Sequence, residues 1–315
     1  MQNQFLFFTT LIGNEDLLKK EVELHYPSLH LSYSRKGFLT FKNTGDFLSL
    51  EKISKMEICF SLRWGNSLSM SKREDLEQKL SELKYKKIHF YSPTALSAPL
   101  KDFNEDANLG EKVLTIVMLS EKEFWLGEFL CIKAFQKFPF NDPQNELPKI
   151  APSRAYLKIA QAFSLFTLKV NSGDIFLELG SAPGGASFFL LQKGCIVYGN
   201  DPAEMSEICL KDKNFFHLKK PVQNLKENDL PLKDIKWIAV DLNLNPSQVV
   251  TETIRIASFY KNSIEGILLT LKMINLDQVR RLNFFKREFE KKGFEKIEVL
   301  QLPSHKKEFL MLLQK

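Results

Sequence analysis

The strongest constraint on this chain is an alternation. From Ser153 onward, short apolar runs and helical stretches follow one another, and most apolar runs end on a polar residue. A run of four to six residues that is apolar on both sides reads as a strand buried on both faces, the pattern of a parallel sheet. Strands alternating with helices build an open α/β sheet with helices on both faces. The expected strands are Asp174–Leu179, Cys195–Gly199, Phe215–Leu218, Trp237–Val240, Gly266–Leu271, Ile297–Leu302 and Phe309–Leu313. The expected helices are Ser153–Leu168 with Ser153 as N-cap, Ala186–Lys193, Pro202–Leu210, Ser247–Tyr260 and Leu276–Lys292.

Ahead of this region, residues 138–152 (FPFNDPQNELPKIAP) hold four prolines. Proline lacks a donor N–H and restrains its predecessor, so neither a helix nor a central strand fits there. The reading is a smaller α+β region over 1–140, a proline-rich linker over 141–152 and an α/β domain over 153–315. In the first region, Gln4–Thr10 reads as a strand and Glu15–His25 as a helix capped by Asn14. Leu29–Tyr33 and Gly37–Phe41 read as strands around the basic turn Ser34-Arg35-Lys36. Farther on, Ser71–Leu83 reads as a helix, Ile88–Tyr91 and Val113–Leu119 as strands, and Glu121–Phe129 as either.

Charge follows the same division. Residues 1–150 carry 20 Lys+Arg and 20 Asp+Glu, whereas residues 151–315 carry 24 and 18. The whole excess of +6 lies in the second part, which favours an anionic partner there. Cys59, Cys131, Cys195 and Cys209 show no Cys-x-x-Cys spacing, and the five histidines are scattered, so no metal cluster is expected. Buried free thiols suit a reducing cytosol. No apolar run approaches the roughly 18 residues of a membrane span, and the start of the chain has no basic, cleavable leader pattern. The expectation is a cytoplasmic protein without membrane or metal.

The sharpest local signal is Glu178-Leu179-Gly180-Ser181-Ala182-Pro183-Gly184-Gly185-Ala186. It lies between an apolar strand and a helix, where open α/β sheets bind ligands. Glycines let backbone approach a ligand, and the following helix offers free N–H groups. About 20 residues on, Asp201 ends the next strand, where an acid accepts hydrogen bonds from ribose hydroxyls. Together they point to an adenosine-containing cofactor. Ala182 and Pro183 break the Gly-x-Gly-x-x-Gly dinucleotide pattern. Four further polar residues sit in apolar contexts: Lys158 on the helix before the loop, Asp241 and Lys272 after apolar strands, and Glu308 opening the last strand. Carboxyl ends of parallel strands converge on the ligand crevice, so Asp241, Lys272 and the loop are expected to share one pocket.

These residues resemble the FtsJ-like ribose 2′-O-methyltransferases. The loop 178–185 resembles that family's first motif. Pro152-Ser153-Arg154 through Lys158, Trp237 through Asp241, Leu271-Lys272-Met273 and Lys307-Glu308-Phe309 resemble the segments carrying its Lys-Asp-Lys-Glu tetrad. The resemblance covers about residues 150–315. It implies a Rossmann-like, mostly parallel doubly wound domain that uses S-adenosylmethionine and methylates a ribose of RNA, specifically a cytidine of large-subunit (23S) ribosomal RNA. Lys272 is then the base and Lys158 a second positive charge, with Asp241 and Glu308 orienting the amines. The cofactor would be held by Glu178, Gly180, Ser181, Ala182, Pro183, Gly184, Gly185, Ala186, Asp201 and Asp241. The family commonly places Trp where this chain has Ala186, and residues 219–224 lack its usual acid near the adenine, leaving that contact unassigned. Phe8-Thr9-Thr10, Gly13 and Glu15-Asp16-Leu17-Leu18 resemble, more loosely, the THUMP-containing RNA-modifying enzymes, which implies an RNA-binding front region. Candidates for phosphate contact are Arg154, Lys219, Lys220, Lys306 and Lys307. Two other readings stand beside this one: a catalytically inactive RNA-binding protein that keeps the fold, and an NAD-dependent oxidoreductase.

Overall fold

The computed structural model describes residues 3–93, 103–231, 234–273 and 275–315. The chain forms two compact units, residues 1–143 and 144–315, dividing inside the proline-rich stretch.

The first unit runs β1 (Gln4–Thr9), α1 (Glu15–His25), β2 (Leu29–Arg35), β3 (Phe38–Asn43), α2 (Leu50–Lys55), β4 (Arg63–Lys72), α3 (Arg73–Leu83), β5 (Lys87–Tyr91), β6 (Lys112–Met118) and β7 (Glu123–Leu130). All seven strands share one sheet in the order β2-β3-β1-β4-β7-β6-β5. Within it, β1 lies antiparallel between β3 and β4, and β3 stands between β1 and β2, so β1-α1-β2 is a split β-α-β unit. Among the described residues of this unit, only β5 and β6 pair in parallel. Alternation along β1 sends Leu6 and Phe8 to the face that carries α2, where Trp64 of β4 donates its indole N–H to the Ile53 carbonyl at 2.9 Å. The start of α1 differs from expectation. Asn14 makes no side-chain cap; instead Glu15 accepts the Gly13 and Gly37 N–H groups at 2.8 and 2.7 Å, binding the helix start to the β2–β3 turn. The helix expected from Ser71 begins at Arg73, because β4 pairs with β7 through Lys72. Glu123–Leu130 settles as strand.

The second unit runs α4 (Ala155–Leu165), β8 (Ile175–Leu179), α5 (Gly185–Gln192), β9 (Ile196–Asn200), α6 (Glu207–Leu210), β10 (Phe215–Leu218), β11 (Trp237–Val240), α7 (Pro246–Phe259), β12 (Gly266–Lys272), α8 (Leu282–Glu290), β13 (Lys296–Leu300) and β14 (Glu308–Gln314). Its sheet order is β10-β9-β8-β11-β12-β14-β13. The first five strands are parallel, and β14 runs against both neighbours. This is the expected α/β, mostly parallel doubly wound architecture, with one reversed strand. Trp237 and Phe176, opposite one another on β11 and β8, stack at 6.1 Å in the core. Three helices are shorter than read from sequence. The first ends at Leu165, where the Phe166 backbone turns extended. Its start is also displaced: Arg154 takes the cap position, although the Ser153 hydroxyl accepts the Ala155 N–H at 3.3 Å. Of Pro202–Leu210 only Glu207–Leu210 is helical. Leu276–Arg281 is a 3-10 turn opened by an Asn275–Gln278 capping box, and α8 follows it. No described helix is long and apolar enough to cross a membrane. The four cysteines are buried and unbridged.

Candidate active site

In the parallel part of the second sheet, β8, β9, β11 and β12 present their carboxyl ends along one edge. β14 runs the other way, so it brings its first residue, not its last, to that edge. Lys272 at the end of β12 and Glu308 at the start of β14 are therefore direct partners in the antiparallel register. Asp241 follows β11 immediately, and Lys158 reaches in from α4. The four residues meet. Lys158 Nζ lies 2.8 Å from Asp241 Oδ2 and 2.9 Å from Glu308 Oε1, and Lys272 Nζ lies 3.5 Å from Asp241 Oδ1. Side-chain exposures are 16% for Lys158, 26% for Asp241, 12% for Glu308 and 32% for Lys272, so Lys272 is the most accessible of the set.

Charge placement explains the arrangement. Burial alone would lower the Lys158 pKa, but the Asp241 and Glu308 carboxylates outweigh burial and hold it above the ordinary lysine value. Lys158 is thus a fixed cation. Asp241 Oδ1 is buried, accepts no hydrogen bond and has Lys272 Nζ at 3.5 Å. An acceptor in that state, beside a cavity, suits a cationic ligand group or a donor. His305, fully buried nearby, is held neutral by burial and by the Lys158 charge. Its Nδ1 accepts the Leu302 N–H at 3.2 Å, which shapes the turn into β14.

The glycine loop packs against the same edge. Gly180 and Ser181 both donate their N–H groups to the Asn200 carbonyl at the end of β9, at 2.8 and 3.2 Å. Gly180 has φ +85°, and a Cβ there would stand 2.5 Å from the Asp241 carbonyl oxygen. Only glycine lets the loop pass this close to the segment bearing Asp241. Asp201 closes the loop from the other side. Its two carboxylate oxygens accept the Ala182 N–H at 3.2 Å and the Ala203 N–H at 2.9 Å. Gly185 abuts the start of α4, where a Cβ would meet the Ser153 hydroxyl at 2.2 Å, so the loop and the helix bearing Lys158 are in direct contact.

A cavity of about 710 Å³ opens between these parts. Its walls include Lys158, Asp241, Lys272 and Glu308, with Gly180, Ala182, Pro183 and Asp201 from the loop side. Glu178, Ser181, Gly184, Gly185 and Ala186 do not line it. Glu178 is buried beneath the loop and accepts the Ser187 hydroxyl of α5 at 2.5 Å, and burial pushes its pKa up to about 8. Glu178 and Ser181 support the loop from within, the latter with its hydroxyl 3.4 Å from the Met205 sulfur. Of the expected phosphate contacts, Arg154 and Lys306 line the cavity. Arg154 also reaches the Ser304 carbonyl at 3.4 Å. Lys219 and Lys220 instead pair at the surface with Glu204 and Asp229, and Lys307 is outside the lining. Sequence reasoning missed Val222, Leu242, Asn243, Leu244 and Ser304, which also line it. All but Val222, which opens a short 3-10 turn, lie outside helices and strands. They carry neither a periodicity nor a reactive group that would single them out.

An adenosine sulfonium cofactor calls for acids toward the hydroxyls and the cation, apolar walls for the base, and backbone that lies close. Asp201 and Asp241, both in the cavity wall, supply the first. Pro183, Pro202, Pro221, Val222 and Leu242 supply the second, and the Gly180 passage the third. The residues present fit such a group.

A family model described as FtsJ-like methyltransferase matches residues 151–308. The ribosomal RNA large subunit methyltransferase M of Shewanella sediminis is 27% identical over 143 residues, 43% of this chain and 39% of that protein. The protein of the same name from Cellvibrio japonicus is 29% identical over 168 residues, 51% of this chain and 45% of that protein. The chain thus matches less than half the length of these relatives.

Proposed function

The chain belongs to the FtsJ-like methyltransferase family, and from that premise we propose that it transfers a methyl group from S-adenosylmethionine to a ribose 2′-hydroxyl of RNA. The observation that carries the proposal is the meeting of Lys158, Asp241, Lys272 and Glu308 at the wall of one cavity beside the glycine loop. Bound at this loop, S-adenosylmethionine supplies an electrophilic methyl group on a sulfonium. Asp201 and the Gly180–Pro183 backbone would hold it, and the Asp241 carboxylate in the cavity wall would favour its positive charge.

A ribose hydroxyl is a weak nucleophile and a very weak acid, so the protein must align it and take its proton. Lys158 is unsuited to that task, because two carboxylates keep it charged. It serves as the fixed cation that orients the hydroxyl or the neighbouring phosphate. Lys272, with one longer carboxylate contact and the greatest exposure, is the amine free to face the 2′-hydroxyl and receive its proton on Nζ. Glu308 holds Lys158, and Asp241 spans both amines.

The substrate class follows the charge excess of residues 151–315. Arg154 and Lys306 are placed to meet phosphates at the cavity. Lys219 and Lys220 can exchange exposed acid partners, worth little in water, for phosphate oxygens. Large-subunit ribosomal RNA, and within it a cytidine, is the proposed target, after the names of the relatives and the resemblance of the motifs. The cytoplasm, where unbridged thiols persist, is the proposed compartment.

The test is methyl transfer from labelled S-adenosylmethionine to RNA lacking 2′-O-methylation. Lys272→Met should lower the rate by about 10²-fold or more while calorimetry shows unchanged cofactor affinity. Equal transfer by parent and variant removes Lys272 from the mechanism. Absence of any transfer by the parent, with cofactor bound, favours an RNA-binding protein that keeps the fold. Mapping 2′-O-methyl positions in RNA from cells with and without the gene identifies the nucleotide.

A further inference from the structure

The first unit has a face that the chemistry of the second does not use. On β1, β3 and β4 the residues opposite the α2 side are Phe5, Phe7, Phe38, Thr40, Gly65 and Ser67, neighbours in the register. Gly65 and Gly127 of β7 leave room there for a flat ring: a Cβ on either would meet the Phe7 ring at 2.7 and 2.4 Å. On that floor stand Phe38, Tyr33 and Trp125. Tyr33 and Trp125 stack at 5.9 Å and 20°, and Phe38 meets Trp125 at 5.3 Å. The Trp125 indole N–H donates to the Ser67 hydroxyl at 3.2 Å, which sets the ring's tilt.

Next to this cluster a groove of about 750 Å³ opens, lined by Phe5, Tyr33, Trp125, Thr40, Asn66 and Ser67 among others. Phe47 and Met70, also in its lining, are 70% and 51% exposed. Large apolar side chains left that open mark a surface awaiting a partner. The lining has amides and hydroxyls but no acid. Cations stand beside it. Arg35 lies 5.8 Å from the Tyr33 ring centre, shared with Glu123 at 3.2 Å, and Lys42 is the register partner of Phe5. Aromatic faces, hydrogen-bonding groups of both kinds and a cationic rim suit unpaired bases on a phosphate backbone. Bases stack on aromatic side chains, and Arg and Lys meet the phosphates.

We propose that this sheet face binds single-stranded RNA, stacking unpaired bases on the Tyr33–Trp125 pair. The inference rests on the proposed function for its RNA, and names the part of the chain that grips it outside the catalytic cavity. A duplex hides its base faces, so the groove selects an unpaired segment.

Trp125 reports on the groove directly. The chain has three tryptophans, and Trp64 and Trp237 are only 2% and 1% exposed. Titrating the full chain with hexauridylate should quench tryptophan emission to saturation, whereas a blunt RNA duplex should not. Tyr33→Leu should raise the Kd about tenfold. Lys42→Glu, on the rim and with an unchanged unfolding midpoint, should weaken binding and flatten its salt dependence. Trp125→Phe should remove the signal while a labelled oligonucleotide still binds. Emission unchanged while the labelled oligonucleotide binds puts the RNA elsewhere and overturns the inference, with the proposed function intact. Equal quenching by duplex also overturns it. So does a concentration-dependent emission shift without RNA that sediments as a dimer, since a second copy then covers the face. Quenching in a chain that transfers no methyl group upholds the inference while the proposed function fails.

Discussion

Replacing Lys158 by Met keeps the length of the side chain and removes its charge. Asp241 Oδ2 and Glu308 Oε1 lie 2.8 and 2.9 Å from the ammonium, so they are no more than about 5.7 Å from one another. Without the cation, two carboxylates at that distance repel by about 3 kcal/mol at an effective dielectric of about 20. This agrees with the roughly 3–5 kcal/mol lost when one member of a buried pair is removed. For a unit of this size, about 3 kcal/mol lowers Tm by roughly 6–12 °C. The pH dependence is the sharper signature. In the parent, the folded-state pKa of Lys158 is raised, so its contribution is whole at neutral pH. It is lost only as the pH climbs past about 10 toward the raised value. In the variant Glu308 loses its cation and Asp241 keeps only the longer Lys272 contact, so the mutual repulsion is present only while both carboxylates are ionised. The penalty is therefore largest near pH 7.5 and shrinks toward pH 5. Glu308→Gln added to Lys158→Met removes one of the repelling charges and should recover most of the loss. Thermal unfolding at both pH values, for parent, single and double variants, measures all of this. A penalty that is flat between pH 7.5 and 5, or a double variant no more stable than the single, would show that the ion set does not govern the site's stability.

Two further outcomes follow from the loop. Gly180→Ala puts a Cβ 2.5 Å from the Asp241 carbonyl at a positive φ, so it should cost about 2 kcal/mol or more and weaken S-adenosylmethionine binding; Tm and calorimetric titration read both. Glu178 has a folded pKa pushed up to about 8, well above its unfolded value. Its contribution to stability is whole below about pH 4 and is lost as the pH rises through 8. Glu178→Gln should flatten that decline in urea unfolding across pH 5 to 9, and an unchanged slope would count against a protonated Glu178.

Much of the second unit could be read from the chain because its signals are local. Asp241 and Lys272 are polar residues at the ends of apolar strands, and that position alone brings them to the ligand edge. Lys158 and Glu308 are different. Only the contact of α4 with Gly185, and the reversal of β14, place them beside Asp241. No spacing in the sequence reports either. The acid partners of Lys219 and Lys220 lie 15 and 9 residues away, in loops whose course no periodicity sets. In the first unit, β4 (RWGNSLSMSK) was invisible as a strand. Its Gly, Asn and Ser are poor strand formers, yet it is central, because Gly65 gives the Phe7 ring its place. Glu178 was expected at the cofactor. It lies one layer below, where its alternation along β8 turns it to Ser187 of α5.

The reversed strand has a consequence for how the catalytic set comes into being. β14 sits between β12 and β13, both of which precede it in the chain, and β13 has no other neighbour in the sheet. Segment 308–314 therefore does two jobs: it is the strand that ties β13 to the sheet, and its first residue is the second carboxylate of Lys158. A finished sheet and a finished charge set depend on the same seven residues.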